Sequence, residues 1–259
     1  MKLAIYQGSG TPCDVPKNLE LLEHLAQTAA QQGADFLILP ELFLTGYNIG
    51  DRAKQFATTR TGEPLQQAAR IAREQTIALL FGYPEEDAGQ FYNSAALFNA
   101  DGELVANYRK THLFGPEERR LFTPGDQWVV VVIAGIKVGI LICFDVEFPE
   151  AVRALTQAGA ELIAVPTANM FPYTQIPNLL VPVRALENQV YIAYVNRSGT
   201  EGNLTYCGLS CIIGPNGKDL ARAGLEEELL FAEVDREAIA QERTVYSYLD
   251  ERRSDLYGI

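Results

Sequence analysis

Cys143 closes an apolar run, Val138-Gly139-Ile140-Leu141-Ile142, and is followed by Phe144-Asp145-Val146-Glu147-Phe148-Pro149-Glu150. The pattern reads as a buried strand that stops at a thiol, with a helix carrying proline and acids in its first turn soon after. Such a junction holds a sulfur rigidly at a sheet edge, near helix N–H groups that favour negative charge. A thiol there can act as a nucleophile. Taken alone the residue has a blander reading, because a free cysteine is usually buried packing. Its company changes the balance. Glu41 follows the apolar run Phe36-Leu37-Ile38-Leu39 and Pro40, Lys110 lies in Tyr108-Arg109-Lys110-Thr111-His112, and Glu117 and Glu118 come shortly after. Attack on a carbonyl needs a nucleophile, a base, an acid and a stabiliser of the oxyanion, and these residue types can supply them.

Other chemistries explain less. The histidines are His24 and His112. His24 falls within a helical pattern and reads as a surface or packing residue. His112 reads as support for the lysine segment. A Cys–His pair stays open, but it leaves Glu41 and Lys110 without a role. Cys207 and Cys211 are four apart with no second ligand pair, so they read as core thiols rather than zinc ligands, and no metal is expected. No glycine-rich phosphate loop is present.

The elements that must position these groups alternate between α and β. A strand over Leu3–Gln7 precedes an amphipathic helix from about Lys17 to Gln32, whose Leu19, Leu22, Ala26 and Ala29 recur at helical spacing. Asp14 and Pro16 suit its start and Gly33 its end. The strand Phe36–Leu39 is stopped by Pro40. A second helix is expected over Pro64–Glu74, then strands at Ile77–Tyr83, Tyr92–Phe98 and Glu103–Tyr108, the last two joined by the turn signal Asn99-Ala100-Asp101-Gly102. Two strands flank Gly135, the second ending at Cys143. Helices follow near Pro149–Gln157 and Pro177–Asn188. Strands are expected at Val190–Asn196, around Gly214-Pro215-Asn216-Gly217, and at Leu229–Val234. Gly33-Ala34-Asp35-Phe36-Leu37-Ile38-Leu39-Pro40 echoes Gly159-Ala160-Glu161-Leu162-Ile163-Ala164-Val165-Pro166. The echo implies two similar α/β halves packed together, although a short coincidence would look the same. No linker interrupts the chain. A single domain over 1–259 is expected, with an aromatic and charged tail from about Asp235 that includes Tyr246, Tyr248 and Tyr257.

The net charge of −12, from 21 basic and 33 acidic residues, disfavours nucleic acid and anionic membrane as partners. No apolar stretch is long enough to span a bilayer. The start Met1-Lys2-Leu3-Ala4-Ile5-Tyr6 reads as a strand rather than a signal peptide. Four cysteines are too few for a disulfide scaffold, which fits a reducing, cytoplasmic setting.

Four segments together resemble the nitrilase (carbon–nitrogen hydrolase) superfamily: Leu39-Pro40-Glu41-Leu42-Phe43, Tyr108 to Phe114, Glu117 to Gly125, and Ile142-Cys143-Phe144-Asp145. The resemblance runs from the first strand to Asn196-Arg197-Ser198-Gly199 and beyond. It implies an α/β fold of two packed mixed sheets flanked by helices, a four-layer α-β-β-α sandwich. It implies that Cys143 attacks a carbonyl carbon and forms a thioester. Glu41 would move the thiol proton to departing ammonia and later activate water. Lys110 and the backbone N–H of Phe144 would hold the oxyanion, and a cationic Lys110 would favour the thiolate. Glu118, rather than Glu117, is the preferred second glutamate. No cofactor is needed, and a homodimer or larger assembly is implied, through the helices near 149–157 and 177–188 and the aromatic tail.

Tyr47, Asn169 and Met170, with Phe171 and Tyr173, are candidates for the substrate pocket, loop packing being the alternative. Thr45 to Gly50, Arg109 to Gly115 and Pro166 to Met170 look like bacterial aliphatic amidases acting on ω-amino amides, of the 5-aminopentanamidase type. The chain departs from that type at Pro116-Glu117-Glu118, read as a loop bordering the site, where it is closer to other short-chain aliphatic amidases. The implied activity is hydrolysis of a small aliphatic primary amide. A nitrilase or N-carbamoyl amidohydrolase with the same Glu-Lys-Cys site is the alternative. A carbamoyl substrate would call for a cationic anchor, for which Arg184 is ambiguous. A non-catalytic scaffold or an ammonia-feeding amidotransferase module fits the intact Glu41, Lys110 and Cys143, or the missing partner domain, less well.

Overall fold

A computed structural model describes residues 1–257; the last two residues of the expected domain lie outside the described chain. Two six-stranded sheets pack face to face. In spatial order the first contains β14 (Glu228–Glu233), β1 (Lys2–Gln7), β2 (Phe36–Ile38), β3 (Ala78–Asp87), β4 (Gln90–Phe98) and β5 (Leu104–Arg109). The second contains β13 (Asp219–Arg222), β12 (Cys211–Ile213), β9 (Tyr191–Val195), β8 (Leu162–Pro166), β7 (Ile136–Ile140) and β6 (Val130–Ile133). A small hairpin joins β10 (Thr200–Glu201) to β11 (Leu204–Thr205).

Both sheets are mixed. The trio β1, β2, β3 is parallel, and so is the trio β7, β8, β9, while the flanking pairs are antiparallel. The two echoing segments supply β2 and β8, the middle strand of each trio. Strand residues alternate between layers. Leu3, Ile5, Phe36 and Ile38 belong to the core between the sheets. Ala4, Tyr6, Leu37 and Leu39 instead meet α1 (Val15–Gln31) and a later helix over Glu63–Gln75. With both faces covered, these strands read as continuous apolar runs. Asp14 caps α1 by accepting from the Lys17 backbone N–H at 3.2 Å. The other α-helices among the described residues are α2 (Arg52–Gln55), α3 (the Glu63–Gln75 helix), α4 (Gly115–Leu121), α5 (Pro149–Gln157), α6 (Val181–Asn188), α7 (Arg236–Val245) and α8 (Ser254–Tyr257). α5 and α6 pack Ala151, Val152, Leu155, Val181 and Ala185 against the second sheet. The fold is the four-layer α-β-β-α sandwich.

The differences from expectation lie beside the site. β7 ends at Ile140, and Cys143 opens a 3₁₀ turn over Cys143–Glu147 instead of ending the strand. The segment read as a loop at Pro116-Glu117-Glu118 is α4. Its Pro116 sits in the first turn, where a missing N–H costs nothing, but seven residues are too short for a visible period. The helix expected over Pro177–Asn188 divides into a π-helical turn, Ile176–Leu180, and α6. The tail folds back as α7, capped by Asp235.

One buried cluster fixes the strand end that delivers Lys110. Glu85, on β3, is fully buried. Its Oε1 accepts from Arg60 Nε at 2.7 Å and Arg109 Nη2 at 2.6 Å, and its Oε2 from Ser94 at 2.6 Å, Asn107 at 2.8 Å and Arg109 Nε at 3.0 Å. Burial alone would raise its pKa, but the bonds from Arg109, Ser94, Arg60 and Asn107 outweigh that and lower it from 4.5 to about 2. A depressed folded-state value gives stability that is present above the unfolded pKa and lost as pH falls towards the folded one. Glu85→Gln should therefore cost about 3 kcal/mol at neutral pH and far less near about pH 2.5. Urea midpoints of parent and variant at both pH values check this. A pH-independent difference would remove the ionised network as the cause.

Candidate active site

The strand ends bring four chain segments to one place. β2 leads through Pro40 to Glu41, where the backbone turns sharply and Leu42 adopts φ +48°. Arg197, fully buried, holds that turn by donating from Nη1 to the Glu41 carbonyl at 3.0 Å and from Nη2 to the Ser9 carbonyl. Gly82 on β3 passes so close that a Cβ there would lie 2.2 Å from the Leu42 nitrogen. A side chain at 82 would push Glu41 out of place. β5 leads to Lys110, whose N–H donates to the Asn93 carbonyl and whose carbonyl accepts from Gly125, both at 2.8 Å.

Asp145 joins the lysine segment to the cysteine turn. Its Oδ1 accepts from the Thr111 hydroxyl and the His112 backbone N–H, and lies 2.8 Å from His112 Nδ1. Its Oδ2 accepts from the Tyr108 hydroxyl at 2.8 Å and the Ile142 N–H at 3.0 Å. One carboxylate thus fixes the distance between Lys110 and Cys143, and Cys143 itself is held at φ +48°. His112 supports the lysine segment, as expected, and stacks on Phe148 at 3.9 Å. Neither histidine lines the space around the sulfur, so a Cys–His pair has no geometric basis.

Lys110 Nζ donates to Glu41 Oε1 at 2.6 Å and to Glu118 Oε1 at 2.8 Å. Asn93 Nδ2 also donates to Glu41 Oε1, at 2.7 Å, while Glu41 Oε2 is buried without a partner. Glu118 further accepts from the Tyr47 hydroxyl at 2.7 Å and the Phe114 N–H at 2.9 Å. Glu117 instead pairs with Arg120 on the outside of α4. The structure therefore puts Glu118, not Glu117, against the lysine.

Burial works against charge on all these groups, and the outcome depends on partners. Desolvation alone would lower the Lys110 pKa, but Glu118 and Glu41 outweigh it and hold the ammonium well above its ordinary range. Desolvation raises Glu41, only partly offset by Lys110. Desolvation and then Glu41 push the Cys143 thiol well up, against the opposing effects of Lys110 and the Ala168 backbone. Lys110 favours the thiolate as expected, but burial and Glu41 outweigh it at the thiol, and a carboxylate of raised basicity nearby is suited to take the proton as the sulfur attacks.

Cys143 opens onto a chamber of about 260 Å³ whose wall includes Tyr47, Phe114, Phe144, Asn169, Met170 and Tyr173. Tyr47, Phe114, Met170 and Tyr173 also line an adjoining outer pocket of about 410 Å³. Of the five pocket candidates, Tyr47, Asn169, Met170 and Tyr173 thus line the chamber, whereas Phe171 lines only the outer pocket. Tyr47 has its hydroxyl committed to Glu118, and Asn169 spans its own loop by donating to the Tyr173 carbonyl at 3.0 Å. Phe144 lies in the first turn of the 3₁₀ segment, where N–H groups lack an intrahelical acceptor. Arg184 is not in the chamber. Cys207 and Cys211 are buried and free, and no metal-holding cluster of His, Cys, Asp or Glu exists among the described residues.

Sequence reasoning missed Asn93, Asp145 and Arg197. Asp145 carried a signal, since an acid in the first turn after a strand end is a cap for the preceding N–H groups. Asn93 carried none, as its partner comes from another strand.

The carbon–nitrogen hydrolase family profile matches residues 2–244. A protein described as a hydrolase in the pqqF 5′ region of Pseudomonas protegens is 45% identical over 260 residues, covering 99% of this chain and 90% of that protein. An (R)-stereoselective amidase of a Pseudomonas species is 37% identical, over 100% of this chain and 93% of its own. Among solved structures, a double mutant of the amidase from Nesterenkonia sp. AN1 in complex with acrylamide superposes with a TM-score of 0.91 at 36% identity, covering 100% of this chain and 96% of that one. Another structure of that amidase, with the acetamide moiety of fluoroacetamide added covalently at the active site cysteine, gives 0.91 at 37% identity, covering 100% and 95%. With a matching profile over nearly the whole chain and the same sandwich beneath it, this chain belongs to the carbon–nitrogen hydrolase family, the nitrilase superfamily.

Proposed function

We propose that the protein is an amidase that hydrolyses a small linear primary amide to a carboxylic acid and ammonia through a cysteine thioester. The observation that carries this is Lys110, held between Glu41 and Glu118 near Cys143, which opens onto the chamber. Sγ of Cys143 attacks the carbonyl carbon while its proton passes to Glu41, whose Oε2 has no other partner. Lys110 and the Phe144 N–H take the oxyanion. Collapse expels ammonia, protonated by Glu41, and leaves the thioester. Glu41 then takes a proton from water, which attacks the thioester and returns the thiol and an acid. The covalent adduct at the active site cysteine of the Nesterenkonia amidase supports the nucleophile assignment.

The chamber, at about 260 Å³, lies below the usual 300–1,000 Å³ of ligand pockets, which favours a short acyl chain. The resemblance to ω-amino amidases makes an amino-terminated chain the finer form of that substrate. A carbamoyl amino acid is disfavoured, because no Lys or Arg lines the chamber to meet its carboxylate. Ammonia release from matched short amides and nitriles, without ATP, tests the reading. A marked preference for nitriles would convert it to a nitrilase on the same residues.

The free thiols fit a reducing, cytoplasmic setting, and no described helix is long and apolar enough to cross a membrane. We also expect self-association through the α6 region, where Leu179 and Val183 are exposed, and the tail, where Tyr246, Tyr248 and Tyr257 are exposed. Sedimentation at micromolar concentration should show a dimer or larger; a monomer would count against it.

A further inference from the structure

The wall of the chamber contains one charged side chain, and the amide chemistry makes no use of it. Glu147 ends the 3₁₀ turn that begins at Cys143 and shares the chamber wall with Tyr47, Phe144, Asn169 and Gln175. The other acids around the site are engaged: Glu41 and Glu118 by Lys110, Asp145 by the lysine segment. The Glu147 carboxylate has neither a hydrogen bond nor an ion pair among the described residues. The nearby cation does not answer it. Arg184 spends its guanidinium on the Val146 carbonyl at 3.2 Å, the Glu147 carbonyl at 2.9 Å and the Glu187 carboxylate at 2.9 Å. Those bonds grip the backbone of the turn and leave the Glu147 side chain to the chamber.

A half-buried carboxylate with no partner is unfavourable until a cation arrives. Desolvation accordingly raises the Glu147 pKa, against smaller opposing effects of Lys110 and Arg184. The approach offers an anion nothing to pair with. The outer pocket has no Lys or Arg among its lining, its Glu117 and Glu118 are paired with Arg120 and Lys110, and the whole chain carries −12. A cationic molecule is drawn along this route and an anionic one repelled.

We propose that Glu147 is a specificity residue that anchors a positively charged group, an ammonium at the far end of the substrate chain from the scissile amide. The assignment rests on the amidase reading for its second attachment point. The bond it makes is charge-assisted, and it penalises a carboxylate at the same position.

5-Aminopentanamide and hexanamide have the same heavy-atom count and differ only in the terminal group. The parent should favour the amine in kcat/KM by about 10–100-fold, and Glu147→Gln should compress that ratio by about the same factor, chiefly through KM. Glu147→Asp, which keeps the charge, should restore part of the preference. An unchanged ratio in Glu147→Gln, or a parent that prefers hexanamide, overturns the anchor. Calorimetric binding of both amides to Cys143→Ala, with and without Glu147→Gln, separates the two readings. Amine-selective binding that Glu147→Gln abolishes supports the anchor even if the parent releases no ammonia, a result that would sink the amidase reading alone. Equal binding of the two amides sinks the anchor and leaves the amidase standing.

Discussion

Cys143→Ala should fold as the parent does and release no measurable ammonia, a loss of about 10⁴-fold or more. The fold should survive because the sulfur, though packed against the core on one side, opens onto a chamber on the other. Alanine also meets the same backbone demand at φ +48° as cysteine does, since both carry a Cβ. The cost in stability should stay within about 1 kcal/mol. Ammonia assays, circular dichroism and urea midpoints measure the three quantities. Turnover within tenfold of the parent would rule out a covalent route through this thiol. Intact-mass spectra of acid-quenched parent enzyme should show the acyl adduct that the alanine variant lacks.

Lys110→Met should lose both activity and stability. Methionine is unbranched and one atom shorter, and it removes the ammonium, leaving Glu41 and Glu118 buried near each other without a counter-charge. Removing one member of a buried ionic group costs about 3–5 kcal/mol, because the remaining charges stay desolvated. Loss of the oxyanion donor alone costs about 10²–10³ in rate. The pH dependence separates this from simple misfolding. Burial already raises the Glu41 carboxyl, and without Lys110 nothing of opposite charge offsets that, so protonation favours the folded variant. Its stability deficit should be largest at neutral pH and shrink as pH falls through that raised value. A variant with the parent's urea midpoint and tenfold or better residual activity would remove Lys110 from both roles.

The alternation of elements was legible because the central strands are covered on both faces and α1 and α3 on one. Apolar runs and helical spacing record those environments directly. Boundaries near the site were less visible. The cysteine turn and α4 are short, and their conformations are imposed by Asp145, by the Phe114–Glu118 bond and by packing, none of which leaves a period. Glu118 was separated from Glu117 by resemblance, and the structure gives the reason: successive helical residues point in different directions, so one reaches Lys110 and the other Arg120. Asn93 and Arg197 were invisible because each acts on a backbone or carboxylate from a distant part of the chain. The unfavourable balance at the Cys143 thiol was equally hidden. Its sign depends on how deeply the sulfur and Glu41 are desolvated together, which no spacing reveals.

The division of the site between the sheets has a consequence for the life of the chain. Glu41 and the amine sit at strand ends of the first sheet, with Glu118 on α4 beside them, and the sulfur follows a strand of the second. While the ribosome is still making the second half, or after one half has come loose, the cysteine is an ordinary thiol with no base beside it. Reactivity is then a property of the mated pair, and the rate of acylation at that sulfur doubles as a gauge of whether the two halves have closed.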